Sequence, residues 1–183
     1  MTTHPIIRLA NETDAKQIAT VHIASWLGAY RGLMPDAILD NLSLEKREQE
    51  WQDRLRAGVK IFVIENSEKI IGFASICPSR DETDDPKTTL EISAIYLLPE
   101  FFGKDFGKKL CEAIYRDAIK KGFQEIILWV LQTNLRAVRF YESQGFTPTG
   151  DVQFNHHGCS GLTVIKLKKI FKQCMKGMVC LAY

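Results

Sequence analysis

The residues that most clearly indicate chemistry follow an apolar strand near the middle of the chain, in the sequence LLPEFFGKDFGKKL at residues 97–110. A turn with two glycines opens a helix that is predicted to run to about residue 121. The first N–H groups of a helix lack intrahelical acceptors, and the positive end of the helix dipole points the same way. Gly103 and Gly107 let the backbone approach a ligand closely. Three lysines add positive charge, Lys104, Lys108 and Lys109.

This pattern predicts an anion site that suits phosphate, because free amides and positive charge lie together. An ordinary strand-to-helix turn that happens to carry two glycines is the alternative. The strand before it, residues 88–98, holds a second candidate, Glu91, on the same face as Ser93. Burying a lone carboxylate is costly, so Glu91 is expected beside an edge, a cavity or a partner. It is therefore either a site residue or half of a structural salt bridge.

A second motif follows the apolar segment 125–131 and reads NLRAVRFYESQGF at residues 134–146. Together the two stretches resemble the GCN5-related N-acetyltransferase (GNAT) superfamily, whose later helix reads Asn-x-x-Ala-x-x-Phe-Tyr and ends at Gly-Phe. The family's cofactor loop reads Gln/Arg-x-x-Gly-x-Gly/Ala. The resemblance runs over about residues 6–170. The later motif matches at six positions, Asn134, Ala137, Phe140, Tyr141, Gly145 and Phe146.

The cofactor loop departs from the family pattern twice. Phe102 stands where Gln or Arg is usual, and Asp105 stands where the middle glycine is usual, while Gly107 fits. Main-chain amides are expected to hold the diphosphate, so Phe102 need not abolish binding. The Asp105 carboxylate would repel a diphosphate unless it turns inward to cap its own helix. Aspartate also tolerates a left-handed backbone, and we expect weakened but retained cofactor binding.

The resemblance implies transfer of an acetyl group from acetyl-CoA to a primary amine of a small molecule, by direct attack in a ternary complex. A polyamine-like compound is one such small molecule, because the acidic loop at residues 81–86 would attract its positive charge. The alternative interpretation of that loop is a solvated hairpin loop. The alternatives are a peptide or protein amine acetyltransferase and a degenerate acyl-CoA-binding module without catalysis.

By resemblance, the pantetheine arm lies between strands 88–98 and 125–131, and the backbone N–H of Leu97 polarises the thioester carbonyl. Asn134 contacts the cofactor arm, and Tyr141 lies two helical turns further on the same face, near the sulfur. The cofactor-binding residues are predicted to be Ile95, Tyr96, Leu97, Phe102, Gly103, Lys104, Asp105, Phe106, Gly107, Lys108, Asn134 and Ala137.

Two residues are candidates for proton transfer. Tyr141 is predicted to protonate the departing thiolate, the alternative being a packed tyrosine that only hydrogen-bonds the cofactor. Glu91 is predicted to take a proton from the acceptor ammonium, directly or through water. Trp26 and Tyr30 are predicted to line the amine pocket, with packing of large aromatic side chains as the alternative for both.

The fold is predicted to be α/β: a single GNAT-like domain over residues 1–170, followed by a basic tail at 171–183. It has a mixed, strongly twisted sheet of about seven strands with helices on both faces. Strands are predicted at 5–9, 60–65, 69–77, 88–98, 125–131, 146–154 and 161–169. Helices are predicted after residue 13 and at 43–56, 104–121 and 134–144.

The 183 residues carry 24 basic and 22 acidic side chains, a net charge of +2 that indicates no nucleic-acid partner. The sequence shows no signal peptide or membrane-spanning run, and five unpaired-looking cysteines indicate a cytoplasmic protein. Histidine and cysteine spacing predicts no metal. A homodimer is compatible with these features. The ending from Cys180 has the outline of a prenylation box, but the final tyrosine is outside its usual set, so no lipid anchor is expected.

Overall fold

Seven strands and five helices make up the computed structural model, which describes residues 5–154 and 161–171. The strands are β1 (Ile6–Leu9), β2 (Lys60–Asn66), β3 (Lys69–Pro78), β4 (Thr89–Leu97), β5 (Glu125–Leu131), β6 (Thr147–Phe154) and β7 (Thr163–Ile170). They form one sheet in the order β1-β2-β3-β4-β5-β7-β6, in which β4 and β5 are parallel and the other pairs antiparallel. The predicted mixed seven-stranded sheet is confirmed.

The helices are α1 (Ala15–Tyr30), α2 (Asp36–Asp40), α3 (Leu44–Arg56), α4 (Phe106–Lys120) and α5 (Leu135–Ser143). Side-chain caps begin three of the helical segments. Asn11 caps the short 3₁₀ turn that leads into α1, Ser43 accepts from the amide of Lys46, and Asn134 accepts from the amide of Ala137. Only α2 has no counterpart in the sequence prediction.

Helices lie on both faces of the sheet, as predicted. The ring of His22 in α1 stacks on Tyr96 of β4 with 4.7 Å between centroids. The next residue, Leu97, reaches α4, where its Cδ1 lies 3.6 Å from the place of a Cβ on Gly107. Consecutive strand residues point to opposite faces, so α1 and α4 cover opposite sides of β4.

A bulge in β4 separates this strand from β5. Opposite β3, Ala94 pairs with Ser75 and Ile92 pairs with Ile76, which leaves Ser93 as an extra residue in β4. Its hydroxyl lies 3.2 Å from the Ser75 carbonyl. A bulge bends the strand that carries it, so β4 turns away from its parallel neighbour. Pairing between β4 and β5 is accordingly confined to three residue pairs, from Thr89 with Glu125 to Glu91 with Ile127.

Several predictions concern residues outside the described part of the chain. These are the basic tail beyond Phe171, the ending at Cys180, and the loop at residues 155–160. In the described part, no helix is both long and apolar enough to cross a bilayer. The two described cysteines, Cys77 and Cys111, are free thiols.

Candidate active site

The opening between β4 and β5 holds two cavities lined by described residues. The helix-side cavity has a volume of about 380 Å³ and is lined mainly by β4, β5, α4 and α5. The edge-side cavity has a volume of about 330 Å³ and is lined by α1, by the start of the β3–β4 loop and by β5 and β7. Five residues border both cavities, Tyr30, Ile92, Ser93, Tyr96 and Trp129. Two ligands can therefore meet where the strands part.

Ten of the twelve predicted cofactor residues line the helix-side cavity. The other two, Lys104 and Phe106, do not. The ammonium of Lys104 lies over the ring of Phe101, 5.5 Å from its centroid, and the ring of Phe106 packs edge-on against the same phenylalanine. The side chains of Lys104 and Phe106 thus belong to an aromatic cluster beside the cavity, and a cofactor role for their backbone stays a prediction.

The turn before α4 has the expected left-handed backbone but not the expected cap. Gly103 has φ 72° and Asp105 has φ 61°. The carboxylate of Asp105 makes no capping hydrogen bond, so the inward-turned cap that would keep it from repelling a diphosphate is absent. The left-handed conformation starts the helix two residues later than predicted, at Phe106. The Lys109 amide donates to the Asp105 carbonyl at 3.0 Å, so the amides of the three preceding residues point beyond the helix end.

Gly107 is required by packing between the two motifs. A Cβ at this position would lie 3.0 Å from Cζ of Phe140, which is closer than ordinary van der Waals contact. Phe140 belongs to α5, the helix of the second motif. The glycine therefore lets α5 approach the first turn of α4, and both Gly107 and Phe140 line the helix-side cavity.

Asn134 and Tyr141 both line the helix-side cavity. The Oδ1 atom of Asn134 accepts from the Ala137 amide at 3.2 Å, which fixes the side chain at the start of α5. Tyr141 is 9% exposed and packs edge-on against Phe140 and Phe146. Burial raises the pKa of Tyr141 well above its ordinary value, with smaller contributions from Cys111 and from Tyr30. The phenol therefore carries its proton at neutral pH.

Glu91 lies in the edge-side cavity and is 4% exposed. It forms an ion pair with Arg80, whose Nε lies 3.1 Å from Oε2, and whose backbone amide donates to the same oxygen at 3.2 Å. The salt bridge that the sequence left open is therefore present. The same carboxylate borders the cavity, and its role as a site residue stays a prediction.

A second charged cluster fixes the loop that carries Arg80. The ammonium of Lys166, on a residue 2% exposed, lies 3.0 Å from Oδ2 of Asp81 and 2.9 Å from Oδ1 of Asp84. Burial disfavours the charged form of Lys166, but the hydrogen bonds that its ammonium donates to Asp84 and Asp81 outweigh this effect and raise its pKa. The Thr83 amide, chiefly, lowers the pKa of Asp81 to about 2.

The two residues that are predicted to line the amine pocket, Trp26 and Tyr30, both border the edge-side cavity. Trp26 is 8% exposed and packs edge-on against Tyr30 with 5.5 Å between centroids. The guanidinium of Arg47 already lies over the Trp26 ring, 5.7 Å from its centroid. Tyr30 borders both cavities, and burial and its neighbour Tyr96 raise its pKa.

The sequence did not identify several residues that line the cavities. Trp129 belongs to the apolar segment 125–131, yet it is only partly buried and borders both cavities. Arg80 and Arg136 were not singled out. Arg136 had a signal, because it lies within the second motif, two residues after Asn134. Within residues 5–154 and 161–171, no three metal-ligating side chains cluster.

Comparison with known proteins agrees with this geometry. The sequence profile of the acetyltransferase (GNAT) family matches residues 26–146, well over half of the chain. The chain belongs to the GNAT family. Membership confirms the predicted acetyl-CoA-dependent N-acetyltransferase and the predicted fold.

Two relatives of this GNAT protein span most of its length. The uncharacterized N-acetyltransferase YuaI of Bacillus subtilis is 32% identical over 138 residues, which cover 75% of this chain and 77% of the relative. An L-methionine sulfoximine/L-methionine sulfone acetyltransferase of Salmonella typhimurium is 25% identical over 146 residues, 80% of this chain and 82% of the relative.

A solved structure has the same fold. The PaiA N-acetyltransferase from Thermoplasma acidophilum, crystallised in complex with coenzyme A, superposes with a TM-score of 0.71. The match covers 92% of this chain and 99% of that chain at 22% identity. At this identity the likeness concerns the fold.

Proposed function

We propose that this N-acetyltransferase moves the acetyl group of acetyl-CoA to the primary amine of a small molecule by direct attack in a ternary complex. The observation that supports this most is the shared wall of the two cavities at Tyr30, Ser93 and Trp129. Each cavity can hold one substrate, and the two reactants would meet at the gap. Neither described cysteine lines a cavity, so no described thiol is placed to carry the acetyl group.

On the helix side, the diphosphate would accept hydrogen bonds from the amides at the start of α4, and the pantetheine arm would lie along β4 beyond Glu91. The backbone direction supports the predicted role of Leu97. The Leu98 amide donates to the Ile71 carbonyl of β3 at 2.9 Å. Because amides alternate in direction along a strand, the Leu97 amide faces the gap, where it can stabilise the oxyanion of the attacked thioester.

Proton transfer would use one residue from each cavity. Tyr141 would donate its proton to the departing thiolate, since it lines the helix-side cavity and its phenol is protonated at neutral pH. Glu91 would take the ammonium proton of the acceptor, directly or through water. Its ion pair with Arg80 holds the carboxylate, and each carboxylate oxygen has more than one lone pair with which it could accept from an amine.

The acceptor would be a compact amine in contact with Trp26 and Tyr30. Trp26 is 8% exposed, which favours a small molecule over a peptide laid across an open groove. The polyamine-like acceptor is less favoured, because Lys166 offsets one of the two negative charges of Asp81 and Asp84, and Glu91 is paired with Arg80. The Salmonella relative named for methionine sulfoximine and sulfone adds small amino-acid analogues to the panel.

The experiment combines acetyl-CoA calorimetry with an amine panel read by release of free CoA thiol. The panel holds alkyl and arylalkyl amines, polyamines, amino-acid analogues and peptides with free N-termini. We expect acetyl-CoA to bind and thiol release to need a small amine. Release with peptides alone would favour the protein-acetylating alternative. Binding of acetyl-CoA without thiol release on any amine would favour an acyl-CoA-binding module. No binding of acetyl-CoA would contradict both the proposed enzyme and this module.

We also propose that the enzyme is cytoplasmic, in keeping with the free thiols at Cys77 and Cys111. A homodimer and the tail at residues 171–183 as a separate basic segment stay predictions. Sedimentation of the purified chain would test the first, and intact-mass measurement from native cells would show whether Cys180 is modified.

A further inference from the structure

In the cofactor loop of this chain, Phe102 stands where the family pattern has a polar side chain. Two of the three lysines of the loop lie over aromatic rings and do not line the helix-side cavity. Lys104 lies over Phe101, and Lys109 lies over Phe106, in each case 5.5 Å from the ring centroid. Of the three loop lysines, only Lys108 lines the helix-side cavity. The Asp105 carboxylate lines it too, so the charges of these two side chains offset each other.

The opposite wall supplies a cation at this place. Arg136, in the first turn of α5, lines the same cavity, and its guanidinium carbon lies 4.1 Å from the centroid of the Phe102 ring. When a guanidinium stacks on an aromatic face, its N–H groups lie in the plane of the guanidinium and remain free to bind an anion. Among residues 5–154 and 161–171, no carboxylate lies within ion-pair distance of Arg136.

The charge of Arg136 also reaches into the cavity. Burial raises the pKa of the Tyr30 phenol, and the Arg136 guanidinium acts against this rise. Tyr30 also lines this cavity. Because Arg136 and the start of α4 line the same cavity, a bound diphosphate would lie between the amides of α4 and this guanidinium.

We propose that Arg136 is the side chain that binds the diphosphate of CoA in this protein, and that Phe102 positions it by stacking. The two residues together replace the Gln or Arg of the family's loop: the ring holds the cation in place, and the cation comes from the neighbouring helix. This inference depends on acetyl-CoA as the co-substrate but not on the identity of the amine acceptor.

Three ligands and two arginine variants test the proposal. CoA, 3′-dephospho-CoA and pantetheine are compared by calorimetry, with pantetheine measured by competition against CoA. Arg136→Gln should weaken CoA and dephospho-CoA by about tenfold or more, since a charge-assisted bidentate contact is lost. Pantetheine lacks the diphosphate and should bind both forms within about twofold. Arg139→Gln, an exposed arginine one turn on that does not line the cavity, should leave all three affinities unchanged.

A second variant separates contact from positioning. Phe102→Leu should weaken CoA and dephospho-CoA by a few-fold, less than Arg136→Gln, and should add little to it in the double variant because both act on one contact. Equal affinity of the wild type and Arg136→Gln for CoA would overturn the proposal. So would loss with CoA but not dephospho-CoA, which would assign Arg136 to the 3′-phosphate, or equal loss with pantetheine, which would indicate a structural role. Failure of the wild type to bind CoA would overturn the proposed function as well.

Discussion

On the helix side of the gap between β4 and β5, the cavity is lined by two short motifs, each of which folds around its own helix start. Asn134 caps α5 within three residues, and Asp105, whose backbone is left-handed, leads the chain into α4. On the edge side, the wall is held by ion pairs between distant parts of the chain. Lys166 reaches residues 81 and 84, and both partners are more than 80 positions away.

This difference has a functional consequence. Helix-side groups would touch the part of the cofactor that every reaction shares, so changing them should lower activity on all acceptors alike. Edge-side groups would touch the acceptor, so changing them should alter the order of preference among amines. Substitutions on each side of the gap test that distinction.

Lys166→Met should lower the free energy of unfolding by about 3 kcal/mol, because it leaves the carboxylates of Asp81 and Asp84 without their cation. Lys168→Met is the matched control. It lies on the same strand, and its ion pair with Glu125 is more exposed, so less than about 1 kcal/mol should be lost. Denaturant unfolding measures both. In the folded variant, Lys166→Met should also change the order of acceptors while acetyl-CoA affinity stays the same; an unchanged order would place the loop outside acceptor selection.

Tyr141→Phe should reduce kcat by about a hundredfold on every amine, since general acid catalysis typically contributes that much. Acetyl-CoA affinity should change little, because the ring and its packing remain. Tyr115→Phe is the control, as Tyr115 is also a largely buried tyrosine on a helix but lines neither cavity. Unchanged turnover in Tyr141→Phe would remove this residue from the mechanism.

Acid should destabilise the edge side through Asp81. Its pKa is lowered from 3.8 to about 2 in the folded state, chiefly by the Thr83 amide. Its contribution of about 2 kcal/mol is therefore complete above pH 3.8 and is lost as the pH falls toward 2. Unfolding free energies measured from pH 6 to pH 2 should fall less steeply in Asp81→Asn than in the wild type. Parallel curves for the two proteins would rule this contribution out.

Glu91→Gln should lower kcat by about tenfold at neutral pH and change the shape of the pH–rate profile. The amide keeps an acceptor oxygen for Arg80 but cannot take a proton at the cavity wall. Glu125→Gln, on the neighbouring strand and outside both cavities, should leave the profile as it is. A profile of Glu91→Gln that superimposes on that of the wild type would limit Glu91 to the salt bridge.

The same difference explains what the sequence could predict. The strands, the major helices and most of the helix-side lining follow from local patterns such as the Asn134 motif and the glycines before α4. Ser93 could not be recognised as an extra residue, since a bulge is defined by pairing with β3 and not by alternation within β4.

Edge-side features needed tertiary information. A lysine in β7 is ordinarily read as solvent-facing, and only the partners of Lys166 show why it is 2% exposed. The side-chain conformation of Asp105 also needed tertiary information. Its backbone is left-handed at φ 61°, but its carboxylate makes no capping hydrogen bond with the helix. Arg136 lay inside a recognised motif, but its contact with Phe102 joins two separate segments.

A crystal structure of the wild type with coenzyme A tests the central claim most directly. The diphosphate should lie against the amides of Phe106, Gly107 and Lys108, with the pantetheine arm in the gap beyond Glu91 and its sulfur beside Tyr141. A structure in which the loop is closed, with the Asp105 carboxylate in place of the diphosphate and no chain between β4 and β5, would contradict the account.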